Sequence, residues 1–570
     1  MTLRALIFGL SIAMIACSLL AGAQVTDFKP VTDAVLQNPD PSDWINYRRT
    51  QNGWGYSPLN QINTGNVNQL QLAWSWTLGP GISEPTPLIY NGVMYLPNPT
   101  GLVQALDAAT GELLWQFKRE SPARGYGMMR SLAIFEDKIY MPTNDAHIIA
   151  LNARTGALVW DHTVADSKKG YHYTSGPLIV KGKVILGIQG CQQYKEDVCF
   201  ISAYDAKTGD ELWRTSTIAR PGEPGGDTWG DLPLMFRAGG DAWITGSYDP
   251  VLNLIYYSTA QAKPWAKFQR GDMEGSELYT NSTLALDPET GKIVWYHQFI
   301  PGDSHDMDEV YESVLVDHDG HSSLFKMGKL GILWEIDRKT GAFVAAHDMG
   351  YQTIYDVNPV TGALKFRPEM IQKSGVEIDF CPSVIGLKNW QAMAYHPATQ
   401  AFYVPLQVSC ETTTYGDVEH KEGGGGVGAR IKSKDHRHPE SPDAVGVFLA
   451  LDAKTGNPLW RQKTLTPMTS AVLTTGGGLV VVGDWDRNVY VHDAVSGKVL
   501  FQTRLPSAVQ GFPITYAVKG KQYLAIPVGT GSPRAVWATR ILPEKNAPPP
   551  GNALFVFALP ERSTSSQAGR

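Results

Sequence analysis

The stretch Ala105–Trp115 reads ALDAATGELLW, and its pattern returns as ALNARTGALVW from Ala150, AYDAKTGDELW from Ala203, ALDPETGKIVW from Ala285 and ALDAKTGNPLW from Ala450. Weaker copies are EIDRKTGAFVA from Glu335 and VHDAVSGKVLF from Val491. Each copy reads as a strand, a tight turn and a second strand. The Asp side chain (Asn152 in the second copy) caps the turn, and the Gly takes positive φ. The closing Trp supplies a large ring that packs between neighbouring sheets.

The turns recur at the length of a sheet. Asp107 to Asn152, Asn152 to Asp205 and Asp287 to Asp337 are 45, 53 and 50 residues by subtraction, about one four-stranded propeller blade. Between them, runs such as PLIVKGKVILGI and GGLVVVGDWDRNVYVHD read as antiparallel strands. SYDPVLNLIYY near Asp249 and AYHPATQAFYV near His396 read as earlier hairpins of larger blades. Seven turn stations do not close a ring, but ALFVFALP (Ala553–Pro560) resembles the opening of the motif and LQLAWSW (Leu70–Trp76) its closing strand. The expected fold is therefore all-β. It is an eight-bladed propeller of four-stranded antiparallel blades over residues 24–560, closed by pairing N- and C-terminal strands so that no edge stays free. A seven-bladed ring or an open solenoid is the alternative. The Gly-, His- and Lys-rich segment from Glu419 to Asp443 reads as a mobile excursion.

Composition agrees. The 570 residues include 57 Gly, 37 Pro, 16 Trp and 24 Tyr, which suits many turns and short strands. A net charge of −6 argues against nucleic acid as a partner. Arg4, the apolar run Ala5–Leu20 and Ala21-Gly22-Ala23 read as an export signal over residues 1–23. That places the chain in a bacterial periplasm, with no stable membrane span after cleavage and a flexible tail over 561–570. Cleavage leaves four cysteines, and proximity favours Cys191–Cys199 and Cys381–Cys410 as disulfides. There is no Cys-x-x-Cys-His, so no covalent haem is built in.

The Thr-Gly…Trp repeat on an exported eight-bladed ring resembles the quinoprotein alcohol dehydrogenases, which use pyrroloquinoline quinone (PQQ). The resemblance runs from Asp43 to about Pro560. It implies cofactor contacts at Glu84 in ISEPTP, Arg130 in MMRSLAIF and Thr174 in YTSGPLIV. It also implies Trp243 in WITGSYDP as the cofactor floor, Lys329 in MGKLGILWEIDR as the group polarising the quinone carbonyl, and Asn389 and Trp390 in GLKNWQAMAY. Cations suit a deep site for a cofactor with three carboxylates, and a flat indole suits a planar ring. The family's catalytic pattern, Pro-x-Asp-x-Trp-Asp, is matched by Pro301, Asp303 and Asp306, with His305 in place of Trp. Asp306 is thus the implied general base, with Asp308 and Glu309 as fallbacks.

Two departures mark this chain. At the family's metal positions, Gln192 in GIQGCQ replaces Glu and Gln261 in STAQAKPW replaces Asn. With Asp306 and Asp308 these form the implied site for Ca²⁺ or a lanthanide ion, Asp308 restoring the lost charge. The adjacent-cysteine disulfide that covers the quinone in many relatives is replaced by Arg124-Gly125-Tyr126-Gly127, with Tyr126 as a possible cover. The resemblance implies oxidation of a small alcohol, with electrons passed to an external acceptor such as a soluble cytochrome c. A dehydrogenase of sugars or polymeric alcohols and a cofactor-free envelope scaffold are the competing readings.

Overall fold

The computed structural model describes residues 25, 27–120, 127–271, 273–529 and 533–561. The expected signal segment and the tail beyond residue 561 lie outside them. Seven four-stranded sheets and one five-stranded sheet carry the fold. In the five-stranded sheet the short strand Tyr56–Ser57 adds in parallel to Leu473–Thr475. Strands from near the two ends of the described chain share one sheet: Gln71–Thr77 pairs antiparallel with Ala553–Ala558, Trp76 opposite Leu554. Ala553–Ala558 in turn pairs with Lys521–Val528, so the last strand of the chain lies inside the sheet and not at its edge. Among the described residues α-helices are few and short: Asp33–Gln37, Lys267–Arg270 and Pro533–Ile541. Among the described residues no helix is long and apolar enough to cross a membrane.

The repeated turns form as their chemistry dictates. Asp107 Oδ1 accepts the main-chain N–H of Ala109 and of Thr110, both at 2.9 Å, and Asn152, Asp205, Asp287, Asp337, Asp452 and Asp493 make the same pair of bonds. The turn glycine has a second role. Gly156, at φ +71°, lies flat on the ring of Trp115 from the preceding sheet, and a Cβ there would sit 2.5 Å from the indole. Gly111 lies on Trp74, Gly209 on Trp160, Gly291 on Trp213, Gly341 on Trp295 and Gly497 on Trp460; only Gly456 differs, resting on His347. The indole N–H then reaches the same neighbouring turn: Trp115 donates to Ala153 O at 3.0 Å, Trp213 to Pro288 O at 3.0 Å and Trp460 to Ala494 O at 3.1 Å.

Both expected earlier hairpins are present, Ser247–Asp249 with Leu254–Ser258 and Ala394–His396 with Ala401–Gln407. The segment expected to be mobile is ordered. Arg430–Arg437 pairs with Ser409–Tyr415, which pairs with Glu377–Phe380 in a three-stranded sheet. The run Gly423–Gly426 binds by main chain to the loop of the first disulfide: Gly423 N and Gly424 O meet Tyr194, and Gly426 N meets Gln192 O at 2.8 Å. A residue with a side chain at Gly425 would press on Gln192 O, 3.1 Å away. Gly425 thus serves close approach, and the run is held by main-chain pairing.

Cys191–Cys199 and Cys381–Cys410 are bridged, with Cα separations of 5.6 and 4.3 Å. Peptide mapping without reduction should recover both linked pairs and no free thiol at the four positions. Trp115→Ala should lower stability by about 3–5 kcal/mol, as large aromatic truncations do, measured by denaturant unfolding. An unchanged midpoint would separate the ring from the cohesion of the sheets.

Candidate active site

The residues implied as cofactor contacts share one place in the architecture. Glu84, Thr174, Trp243 and Trp390 each stand four residues before the short edge strand of a sheet, namely Leu88–Tyr90, Leu178–Val180, Ser247–Asp249 and Ala394–His396, and Arg130 stands three before Ala133–Phe135. The lead-in segments bind one another. Thr86 N donates to Arg130 O, Arg130 N to Thr174 O, Ala471 N to Gly511 O, Val472 N to Ala392 O and Phe512 N to Pro85 O. Ser175 Oγ donates to Trp243 O at 2.7 Å, Trp243 packs edge-on to Tyr311 with centroids 5.3 Å apart, and Met393 N donates to Glu312 Oε1 at 2.9 Å.

Arg130 is the hub of one half of the site. Its guanidinium donates to Glu84 Oε2 from Nε at 2.9 Å and pairs with it through Nη2 at 2.8 Å. Nη1 donates to Thr174 Oγ1 at 2.9 Å. Cζ lies 5.1 Å from the Trp243 ring and 5.9 Å from that of Trp390, within the range of cation–π attraction. Glu84, Arg130 and Thr174 are buried, and Trp243 is half-buried. Asn389 orients Trp390 by accepting its main-chain N–H at 2.8 Å while its own amide donates to Ile385 O.

The other half is ionic. Lys329 Nζ meets Asp306 Oδ2 at 2.8 Å and Asp308 Oδ2 at 2.9 Å. Burial alone would push Lys329 down, but the two carboxylates hold it above its ordinary value. Burial would likewise raise Asp308, yet Lys329 and Lys263 hold it low. Gln261 Nε2 donates to Asp306 Oδ1 at 2.6 Å, and Lys263 Nζ lies 3.4 Å from the same oxygen. The halves join through one apolar cluster that includes Tyr311, Trp390, Ala260, Val310 and Phe512, with Trp243 packed on it.

The loop that carries Asp306 is fixed from two directions. Asp303 accepts the N–H of His305 at 3.0 Å and of Met307 at 2.7 Å. Fully buried Arg270 pairs with Glu277 and donates to the carbonyls of Pro264, Trp265 and Asp303. Asp306 itself has φ +61°, a left-handed conformation that this scaffold enforces. His305 is an aromatic filler here. Burial pushes it down to about 3, so the ring is neutral, and it packs 4.8 Å from Phe380. Of the fallback bases, Glu309 is deeply buried and pushed up to about 8 by burial, against the pull of Lys326 and Lys388, which leaves it protonated at neutral pH.

Of the four implied metal ligands, Asp306, Asp308 and Gln261 gather. Gln192 is half-buried, and its side chain forms no hydrogen bond with them. Tyr126 lies outside the described residues. Two residues escaped the sequence reading. Gln510 stands four before Ile514–Val518, the shared offset, and its buried amide finds no hydrogen-bond partner among the described residues. The offset is a usable signal once strand starts are known. Lys263 announces itself only as a lysine inside the apolar STAQAKPW.

Known proteins are similar to this chain along most of its length. Residues 44–347 and 454–524 match the family described as "PQQ: Glucose/ethanol/alcohol dehydrogenase, beta-propeller domain". The chain is 31% identical to quinoprotein alcohol dehydrogenase PedH of Pseudomonas putida, covering 98% of this chain and 97% of that one. It is 30% identical to quinoprotein ethanol dehydrogenase of Pseudomonas putida, covering 97% of each. A solved europium-containing methanol dehydrogenase superposes with a TM-score of 0.85 at 30% identity, covering 92% of this chain and 100% of that one. The fold is thus that of the quinone-binding β-propellers. The chain belongs to the PQQ-dependent quinoprotein alcohol dehydrogenases.

The protonation of Glu309 is directly observable. The infrared difference between the unaltered chain and Glu309→Gln should contain a protonated-carboxyl band at pH 6 that fades as pH rises through about 8. A band absent at pH 6 would return Glu309 to the candidates for base.

Proposed function

We propose that this chain oxidises an alcohol to an aldehyde or ketone with PQQ held between Trp243, Arg130 and the Asp306–Lys329 pair, at the centre of a closed eight-bladed ring. Support for the ring comes from the eight large sheets and from the contacts between lead-in segments, which step from residues 85–86 through 130, 174–175, 243, 311–312, 392–393 and 471–472 to 511–512 and back to Pro85. Support for the quinone comes from kinship and from fit. The lead-in segments present half-buried indole surface, a buried Arg, and polar atoms that lack partners among the described residues: Gln510 Nε2 and Oε1, Trp390 Nε1 and Ser83 Oγ. Those are the donors and acceptors that a planar tricarboxylate with ring carbonyls uses. The arginine flanked by two tryptophans is the observation that carries the reading.

When bound, PQQ supplies the two-electron acceptor for the alcohol's hydride. The chain's residues do the rest. Arg130 and Gln510 would bind its polar rim, Trp243 would lie against its flat face, and Lys329 sets a positive charge beside Asp306. Asp306 takes the hydroxyl proton, its carboxylate aimed by Lys329 and Gln261. Kinship to the europium-containing enzyme brings a metal ion into the expected cofactor set. The donors do not fit one: Gln192 and Gln261 are neutral, and the two aspartates are already charge-matched by Lys329 and Lys263. Electrons leave to an external acceptor such as a soluble cytochrome c, and the N-terminal sequence is consistent with a periplasmic site of action.

Apo-chain titrated with PQQ should show saturable quenching of tryptophan fluorescence and should then reduce an artificial dye in the presence of a primary alcohol. Trp243→Ala should weaken PQQ binding far more than Trp115→Ala. Asp306→Asn should cut turnover by about 10²–10⁴-fold with PQQ still bound, while Glu309→Gln leaves turnover close to that of the unaltered chain. Equal loss of PQQ affinity in the two tryptophan variants would refute the placement of the cofactor.

A further inference from the structure

The metal position that the family resemblance implies is filled in this chain by its own side chains. Lys329 spans the Oδ2 atoms of Asp306 and Asp308. Asp306 Oδ1 takes the Gln261 amide and faces Lys263, and Asp308 Oδ1 accepts the Gln261 main-chain N–H at 3.1 Å. Two carboxylates therefore face two ammonium groups, and the cluster is neutral as it stands. The other two implied ligands, Gln192 and Gln261, carry no charge.

A hard cation asks for the opposite. Ca²⁺ takes about 6–8 oxygen ligands and leaves water only for a site rich in negative charge. Next to Lys263 it would meet a like charge in a region shielded from solvent, where repulsion is felt at greater strength than in water. Lys263 is also held there by the fold. It is buried, it sits in the short strand Ala262–Lys263 paired with Ala238–Gly239, and its Nζ lies 5.4 Å from the Trp265 ring. Arg270 ties the carbonyls just after it, of Pro264 and Trp265, to the carbonyl of Asp303 in the loop that bears Asp306. The lysine and the aspartate it faces are thus fixed to each other.

We infer that the Lys263 ammonium stands in for the metal ion of the relatives, so that this chain binds PQQ with its charge balanced and without Ca²⁺ or a lanthanide. The inference rests on the quinone reading above, and it makes Lys263 a charge-placing residue of that site.

The test uses the full chain, stripped with a chelator, with metal content read by mass spectrometry and PQQ affinity read by fluorescence quenching. The unaltered chain should bind PQQ and turn over in chelator. Added Ca²⁺ or La³⁺ should change neither property, and Tb³⁺ should give no sensitised luminescence. Lys263→Met should weaken PQQ binding in chelator about tenfold, equivalent to ~1.4 kcal/mol, and Lys263→Arg should retain it. Lys263→Met combined with Gln192→Glu should acquire Tb³⁺ luminescence. A stripped unaltered chain that binds PQQ only after Ca²⁺ or La³⁺ is restored overturns the inference and leaves the quinone reading standing. Failure to bind PQQ with or without metal overturns both. Should Lys263→Met not fold, as judged by circular dichroism, the unaltered chain alone decides.

Discussion

An indole ring laid on a glycine of the next sheet is the contact on which the rest of this molecule depends. A sheet of four short strands cannot bury both faces by itself, and its edges invite pairing with other chains. Here six closing strands carry a Trp whose ring covers the turn glycine of the next sheet, and at Trp115, Trp160, Trp213 and Trp460 the indole N–H also meets a carbonyl of that turn. The glycine is needed twice over: for positive φ, and because any side chain would displace the ring. Apolar burial and a hydrogen bond are thus delivered at one point, and the point repeats from sheet to sheet. Where the ring is replaced, at His347, the seat is kept by a smaller aromatic.

That regular outer contact permits an irregular centre. In and around the lead-in segments Arg130, Lys329, Lys326, Lys388, Asp306, Asp308 and Glu312 are buried. Isolated buried charges cost far more than a chain can sustain, so these occur as pairs with short contacts: Arg130 with Glu84, Lys329 with both aspartates, Lys388 with Glu312 at 2.8 Å. Where pairing is weaker, the charge itself gives way. Lys326, bonded to Ser258 and to the Tyr311 carbonyl, is pushed down to about 7 by burial, beside a Glu309 that is pushed up. A pair of partly neutral groups thus lies beside a set of charged ones.

The outer architecture was legible in sequence because its chemistry is local. Asp, Thr and Gly within five positions specify the turn wherever they occur, and the Trp follows at a fixed distance. The joining of Gln71–Thr77 with Ala553–Ala558 was legible for the same reason, since each end carries half of the motif. The centre was legible only by family resemblance, which points to Arg130, Trp243 and Asp306 residue by residue. What it could not supply was how charges from distant segments add up. Lys263 and Asp306 are 43 positions apart, and nothing local to either tells that they face one another. Gln510 was hidden for want of a motif around it. The Gly423–Gly426 run misled because composition registers freedom, whereas the main-chain pairing with Tyr194 is a property of two segments together.

The sheet that holds both ends of the chain also sets an order of events. Gln71–Thr77 is made early and has no partner until Ala553–Ala558 has been synthesised, nearly the whole chain later. That late strand lies between Gln71–Thr77 and Lys521–Val528, so both neighbours wait for it to complete their native pairing. The intervening sheets can form as they emerge, each resting on the one before, but the first of them keeps an open flank throughout elongation. Completion of that sheet therefore waits for its last strand, however early the others form.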